Sequence, residues 1–347
     1  MAAVFRAAEK AFIAFDRGTN MSTEENGIIV VTGGLGFVGG HLVRHLHGAG
    51  ARVVVADIVD PASVVLPPGI GYRRADLRDP EQAAAAVAGA RKVFHLAGNP
   101  SGTRSVENPL LDFRINALGT ANLCAGAVSA GVSRLVYLSS AMVYGRPRVV
   151  PMPETHATEP FLPYGASKLA GEHVVRAFGE TFGLDTVIAR AFTLYGPGED
   201  PRTAGGEVSQ YLRWHLNDLP VQAAGDIDRK TRDFAHISDV VRALELVARR
   251  GERGATYNLG SGVECSLRRL AEIISAATGR EVDLVADMSV TEDTYRHVPD
   301  IDRLRALGFQ PQIPLEEGVA RLAAELGPSP ELPAVPTYFK PAGPIAS

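Results

Sequence analysis

Tyr164 and Lys168 stand four positions apart in Tyr164-Gly165-Ala166-Ser167-Lys168, so a helix there carries both side chains on one face, one turn apart. An ammonium beside a phenol favours the phenolate and brings the tyrosine pKa down toward neutrality. A pair of this kind can take a proton from an alcohol. Tyr and Lys meet at this spacing often by chance, so the pair draws its weight from its surroundings. Upstream, Leu138-Ser139-Ser140-Ala141-Met142-Val143-Tyr144-Gly145 has the character of a strand end that would present Ser140 to the same cleft.

A second group of residues points to what the tyrosine would work with. Thr32-Gly33-Gly34-Leu35-Gly36-Phe37-Val38-Gly39 lies between a strand pattern, Gly27–Thr32, and a helical one, Gly40–Gly50. Gly33 permits a tight turn, Gly36 lets backbone approach a pyrophosphate, and Gly39 allows close helix packing. The helix N-terminus adds unpaired N–H groups and a partial positive charge for phosphates. Asp57 closes the next strand, Arg52–Asp57, 24 residues after Gly33. A carboxylate there accepts from a ribose diol and repels a 2′-phosphate, which selects NAD over NADP. The positive nicotinamide ring would then also favour the Tyr164 phenolate. Asp76-Leu77 follows a short strand at Tyr72–Ala75, where the acid could reach the adenine amino group. Leu96-Ala97-Gly98 ends another strand with small residues that suit the nicotinamide half. For both of these, a surface acid and ordinary packing are competing explanations.

These residues need a parallel α/β sheet to hold them. From Gly27 onward, short β-branched runs alternate with helical patterns, the rhythm of a Rossmann-type doubly wound fold. Later buried strands are expected at Arg91–Ala97, Arg134–Ser140 and Thr186–Ala191. Helices are expected at Glu81–Ala88, Asn116–Ala130 and Tyr164–Phe182. Beyond 191 the rhythm breaks into a glycine- and proline-rich stretch, Gly196–Gly206, a helix at Glu207–Asn217 and a basic loop, Asp228–Phe234. Helices at Val240–Arg250, Ser266–Thr278 and Leu315–Leu326 and a strand at Ala255–Gly260 follow. The expected organisation is an extension over 1–20, an NAD-binding domain over 21–191 to which 235–258 returns, a smaller α/β substrate lobe over 192–327, and a proline-rich tail over 328–347.

Bulk properties narrow the function classes. The 347 residues suffice for two lobes, and 46% hydrophobic with 21% charged residues is ordinary for a soluble chain. A net charge of −4 provides no general attraction to nucleic acid or an anionic membrane. No apolar run approaches the roughly 20 residues of a membrane span. Cys124 and Cys265 lie far apart without ligand spacing, as buried free thiols in a reducing cytoplasm would. His41, His45 and His47 follow the glycine loop without a third ligand type nearby, so helix packing or solvent exposure, and no metal, is expected.

The motifs together are similar to the extended short-chain dehydrogenase/reductase family, in its nucleotide-sugar epimerase and dehydratase branch. Beyond the residues above, the resemblance rests on His95-Leu96-Ala97-Gly98, Asn116 before Gly119-Thr120, Tyr195-Gly196-Pro197, Arg232-Asp233-Phe234, Tyr257-Asn258-Leu259-Gly260 and Leu315-Glu316-Glu317-Gly318. It runs from Val31 to about Gly318. It implies Tyr164 as base, Lys168 holding the nicotinamide ribose and Ser140 sharing the proton of the substrate hydroxyl. NAD would be held by Gly33, Gly36, Phe37, Val38, Gly39, Asp57, Asp76, Leu77, Leu96, Ala97, Gly98, Asn116, Tyr164 and Lys168. The substrate, a UDP-sugar, would meet Ser139, Ser140, Thr193, Arg202, Arg232 and Arg296, with Arg232 on the diphosphate.

Sugar 4,6-dehydratases resemble Thr-Asp-Glu where this chain has Ser140-Ala141-Met142, and UDP-glucuronate decarboxylases have Glu at the place of Met142. Alanine and methionine move no proton, so epimerisation at sugar C4 is the expected reaction: oxidation to a 4-keto sugar, rotation, and return of hydride to the opposite face. UDP-galactose epimerases carry Asn at the place of Thr193, whereas UDP-glucuronate 4-epimerases resemble Phe192-Thr193-Leu194-Tyr195-Gly196-Pro197. UDP-glucuronate is therefore the first expectation and UDP-glucose/galactose the alternative. Asp200 stands near where the glucuronate-type pattern has arginine, and Arg202 would have to fill that role. A keto-sugar reductase with exchangeable cofactor and a catalytically silent NAD-binding protein are the rival classes. A cytoplasmic homodimer, paired through helices around Ala117–Ala130 and Lys168–Phe182, is a further implication.

Overall fold

The computed structural model describes residues 27–202, 206–288 and 296–333. The expected extension over 1–20 and residues 334–347 of the expected tail lie outside the described residues.

Seven parallel strands form the central sheet: β1 (Ile28–Thr32), β2 (Val53–Asp57), β3 (Gly71–Arg74), β4 (Ala90–His95), β5 (Arg134–Ser140), β6 (Thr186–Ala191) and β10 (Thr256–Leu259). Their order across the sheet is β3-β2-β1-β4-β5-β6-β10. The chain reverses direction of travel between β1 and β4, and that switch point is where such sheets take ligands. Strands like β1, Ile-Ile-Val-Val-Thr, are apolar throughout because helices cover both faces. On one face pack α1 (Phe37–Gly48) and α8 (Ile237–Arg250), through Leu42, Val43, Val240 and Leu244. On the other pack α2 (Pro80–Val87), α5 (Gly119–Ser129) and α6 (Pro163–Phe182), through Val87, Leu123, Cys124 and Val175. Pro80 opens α2, and the Asp79 side chain accepts from the N–H groups of Glu81 and Gln82, a cap that fixes where that helix begins.

Between β4 and α5 lie two short helices, α3 (Gly102–Glu107) and α4 (Pro109–Phe113), and a π-helical turn, Arg114–Leu118. The sequence suggested one continuous helix from Asn116; the wide turn instead rotates Asn116 inward, where it is 1% exposed.

A second core holds the remaining elements together: Tyr195, Val208, Tyr211, Leu212, Phe234, Leu267, Leu270, Ile274, Val319 and Leu322. It joins β7 (Thr193–Tyr195), α7 (Glu207–Leu216), β9 (Thr231–His236), α9 (Leu267–Thr278) and α11 (Leu315–Leu326). β9 is the middle of a small sheet with β7, β11 (Glu264–Ser266) and β13 (Arg296–His297), while β8 (Val221–Ala224) pairs with β12 (Leu284–Asp287). A short α10 (Asp302–Ala306) lies against β10. The expected basic loop Asp228–Phe234 is thus corrected: from Thr231 it is strand. Its polar residues hid it, because Arg232 and Asp233 are buried and satisfied by partners far along the chain. At the far end, Arg213 and Asn217 of α7 donate to the carbonyls of Glu331 and Pro330, so the start of the tail lies along that helix.

Candidate active site

The glycine loop leaves β1 at the switch point. Gly33 has φ +66°, and a Cβ there would sit 2.8 Å from the Ala97 backbone. A Cβ at Gly39 would stand 2.1 Å from the Gly33 carbonyl, so the start of α1 can press onto the loop only without a side chain. Gly36 caps α1 and brings no side chain, leaving the positive end of the helix facing the cleft. Asp57 reaches back to this loop: Oδ2 accepts from Leu35 N at 3.1 Å and Oδ1 from Ile58 N at 2.8 Å. Burial pushes the Asp57 carboxyl up, and the N–H groups of Leu35, Ile58 and Val59 pull it back down. A bare backbone cradle with a carboxylate at its edge fits the pyrophosphate and ribose of NAD. Asp76, farther along the same rim, is engaged by Arg78 at 2.5 Å, which holds its carboxyl low. Leu77 packs next to Gly119, and its carbonyl accepts from Asn122.

Ser140 ends β5. Its Oγ accepts from Met142 N at 3.2 Å and starts a 3-10 turn, Ala141–Val143, that turns the chain away from the cleft. Tyr164 lies in the first turn of α6, half-buried, and hydrogen-bonds Ser140. Gly165 brings the two together: a Cβ there would be 2.4 Å from the Met142 carbonyl. Lys168 donates to the Leu138 carbonyl at 2.7 Å and lies 4.8 Å from the centre of the Tyr137 ring. Burial brings its ammonium down to about 8, with Asp112 and Glu172 opposing the fall. The sequence expectation of a lowered Tyr164 pKa is not met by the chain's own groups. Burial raises the phenol, the Ser140 hydrogen bond opposes that, and Lys168 spends its bond on Leu138.

Beneath these residues runs a buried polar layer that the sequence did not reveal. The Asn116 amide oxygen accepts from Asn99 N at 2.9 Å, just after Leu96-Ala97-Gly98, and its Nδ2 donates to Ser167 Oγ at 2.9 Å. Asp112, 1% exposed, accepts from Asn99 Nδ2 at 2.6 Å and Ser167 Oγ at 2.5 Å. His95 bridges Thr32 and Thr120 at 2.8 and 2.9 Å and is fully buried, which lowers its pKa to about 3, so it is the neutral imidazole. Glu172 and Arg190 form a buried two-point ion pair at 2.8 and 2.6 Å. Ser139, expected to meet the substrate, belongs to that pair: its hydroxyl donates to Glu172 at 2.7 Å and it is 2% exposed. Alternation along β5 is the signal that separates it from Ser140, since neighbouring strand residues face opposite sides.

In the other lobe, Thr193 of β7 lies opposite Phe234 of β9, two residues along from Arg232. Arg232 is buried, donating through Nε to Glu207 at 3.1 Å and through Nη1 to the Thr231 carbonyl at 2.9 Å. Asp233 is not its partner; that carboxylate accepts from Ser261, Gly262 and Val263, and burial raises it to about 6. Arg202 is exposed and paired with Asp200 at 2.9 and 2.7 Å. Arg296 is exposed and paired with Glu264 at 2.7 Å. His41 bonds the Pro197 carbonyl and His45 pairs with Glu245, so both fasten α1 to neighbouring elements. Cys124 and Cys265 are buried free thiols. Among the described residues there is no His/Cys/Asp/Glu cluster suited to a metal, and no helix is long and apolar enough to cross a membrane.

The chain is similar to known proteins in sequence and fold. The profile of the NAD dependent epimerase/dehydratase family matches residues 29–260. The UDP-glucose 4-epimerase of Mycolicibacterium smegmatis is 33% identical over 84% of this chain and 96% of its own length. A dTDP-glucose 4,6-dehydratase of Streptomyces antibioticus is 31% identical, covering 84% of this chain and 90% of that protein. Among solved structures, the UDP-glucose 4-epimerase of Thermus thermophilus in complex with NAD superposes with a TM-score of 0.77 at 31% identity, over 86% of this chain and 98% of that one. MoeE5 in complex with UDP-glucuronic acid and NAD gives a TM-score of 0.78 at 33% identity over the same shares.

Proposed function

Because the chain belongs to the NAD-dependent epimerase/dehydratase family and is an NAD-dependent enzyme, we propose that it is a UDP-sugar 4-epimerase with Ser140, Tyr164 and Lys168 as its catalytic group. The observation that carries this is the turn after Ser140. Ala141 is buried and Met142 has no ionisable group, so the position that would hold a dehydratase's second acid and base is inert. Tyr164 takes the proton of the sugar C4 hydroxyl, and Ser140 shares that proton through its hydrogen bond to the phenol. Lys168 stands one turn away with an ammonium that Asp112 and Glu172 keep charged. NAD, when bound, supplies the hydride acceptor and a positive ring beside the phenol. Gly33, Gly36, Phe37, Val38, Gly39 and Asp57 hold its phosphates and adenosine ribose, with Asp76 and Leu77 at the adenine. Leu96, Ala97, Gly98 and Asn116 border the nicotinamide half. A 4-keto sugar that turns over in the pocket then receives hydride and proton on its other face.

Arg232, a buried cation of the second lobe, would meet the UDP diphosphate, with Arg296 as an outer contact. For the sugar, Thr193 favours UDP-glucuronate, one of the two UDP-sugars with which MoeE5 was solved, with Arg202 taking the carboxylate. The Arg202–Asp200 pair favours a second reading, UDP-glucose/galactose, since a sugar carboxylate must displace Asp200 to reach that guanidinium. A homodimer in the cytoplasm, joined through α5 and α6, completes the proposal. The test is incubation of the purified protein, without added NAD, with UDP-glucuronate and UDP-glucose separately. A C4 epimer of one of them is expected, and Tyr164→Phe should abolish it while NAD stays bound. A 4-keto-6-deoxy or decarboxylated product, or turnover by the Phe variant, would overturn the assignment.

A further inference from the structure

Asp112 lies outside every motif used above, yet its carboxylate is the meeting point of three elements. It sits on α4 and is 1% exposed. Oδ1 accepts from Asn99 Nδ2 at 2.6 Å, in the loop that follows β4, and from Asn116 Nδ2 at 3.3 Å, in the π-helical turn. Oδ2 accepts from Ser167 Oγ at 2.5 Å, in the first turn of α6. Ser167 in turn accepts from Asn116 Nδ2 at 2.9 Å, so three side chains close a ring that Asn99 joins through its amide and its backbone N–H. Gly98 lies directly against this ring: a Cβ there would stand 2.7 Å from Asn116 Oδ1 and 3.5 Å from Lys168 Nζ. A buried carboxylate costs free energy unless donors and a positive charge compensate it. Here donors fill both oxygens, and the charge is that of Lys168.

We propose that Asp112 is a positioning residue: its carboxylate clamps the loop after β4 to the first turn of α6 and supplies the fixed negative charge that balances Lys168. It touches neither cofactor nor substrate and acts through Lys168, Ser167 and Asn99. The groups acting at Lys168 come from every neighbouring element: Asp112 from α4, Glu172 from α6 itself, the Tyr137 ring from β5 and neutral His95 from β4. The Tyr137 ring face favours the ammonium as well, but of these groups only the two carboxylates carry a negative charge. The role of Lys168 in holding the nicotinamide ribose belongs to the function proposed above, so the experiment does not depend on sugar turnover alone.

The decisive pair is Asp112→Asn, which keeps shape and removes charge, and Ser167→Ala, which keeps charge and removes the two bonds the hydroxyl makes to Asp112 and Asn116. NAD affinity is measured by titration across pH 6 to 9.5. Loss of affinity with rising pH, as Lys168 deprotonates, should begin at lower pH in Asp112→Asn and follow the wild-type curve in Ser167→Ala. With a UDP-sugar the wild type turns over, kcat should fall about tenfold in both variants with KM within about twofold, since misplacing a base costs rate more than binding. An Asp112→Asn curve superimposed on wild type overturns the charge role, and unchanged kcat in Ser167→Ala overturns the clamp. Should Asp112→Asn fail to fold, Ser167→Ala alone decides through kcat. A wild type without turnover would refute the epimerase reading, while the NAD curves would still judge Asp112.

Discussion

Glu199 sits two residues beyond Tyr195-Gly196-Pro197, and its carboxyl group is buried. Oε1 accepts from Gly206 N at 2.8 Å, while Oε2 is buried with no hydrogen-bond partner among the described residues. Burial raises this carboxyl to about 7, against the pull of Gly206 N–H, Arg213 and Ser209. The folded protein therefore keeps a proton there that the unfolded chain releases near 4.5. Its stabilising share is complete below that pH and is lost as pH rises through 7. Glu199→Gln, a permanently neutral analogue, should stabilise the protein at pH 8 by about 2 kcal/mol, with the gain shrinking toward pH 5. Denaturant unfolding at the two pH values reads it; an equal effect at both would exclude titration of Glu199 as the cause. No sequence pattern marks this residue, because its environment is made by α7, not by its neighbours. That the end of β5 and the start of α6 would bring Ser140 and Tyr164 together was legible for the opposite reason, since a buried strand and a helical run are both written in local pattern. Asp112, Glu172 and Arg190 were not, since each looks like a surface charge until partners 18 to 55 residues away bury it.

At the scale of elements, the site depends on how closely α6 approaches the turn after β5. Gly165 makes that approach possible, so Gly165→Ala should push the first turn of α6 off the Met142 carbonyl and carry Tyr164 away from Ser140. A displacement on the order of 1 Å costs up to about 100-fold in rate, so kcat should fall 10- to 100-fold while NAD remains bound. Steady-state kinetics together with cofactor content after gel filtration decide this; a wild-type kcat would show that the helix start tolerates the methyl. The central strands were legible because β-branched runs bounded by glycines leave few alternatives. The second lobe was harder. β9 carries Arg232, Asp233 and His236, polar residues that argue against a buried strand until their long-range partners are known. The π-helical turn at Arg114–Leu118, in which Asn116 is buried, was not read from the sequence, which suggested an ordinary helix from Asn116.

For the whole molecule, the face beside α5 is unusually apolar. Leu110, Phe113 and Leu118 are 57%, 39% and 49% exposed, close to the helices through which pairing is proposed. Side chains of this kind cluster where a second surface covers them. Leu118→Glu should yield a folded monomer by sedimentation where the wild type sediments as a dimer. A wild-type monomer would remove the homodimer from the proposal. Within one chain the lobes are also fastened. Asn258 of β10 accepts from Tyr144 OH at 2.6 Å and donates to the carbonyls of Met152 and Asp300 at 2.9 Å, so one buried amide joins the sheet edge, the segment after Ser140 and the strand-to-helix link before α10. β10 itself is made after the chain has already passed through β7, α7 and β9 of the second lobe, and it pairs with the outer side of β6. Anyone wishing to graft a new sugar specificity onto this scaffold therefore has no single junction to cut. A transplant has to carry 193–236 and 264–326 as two separate inserts, leave α8 and β10 behind, and keep every contact of Asn258. Specificity here is better altered by point changes in place than by exchanging modules.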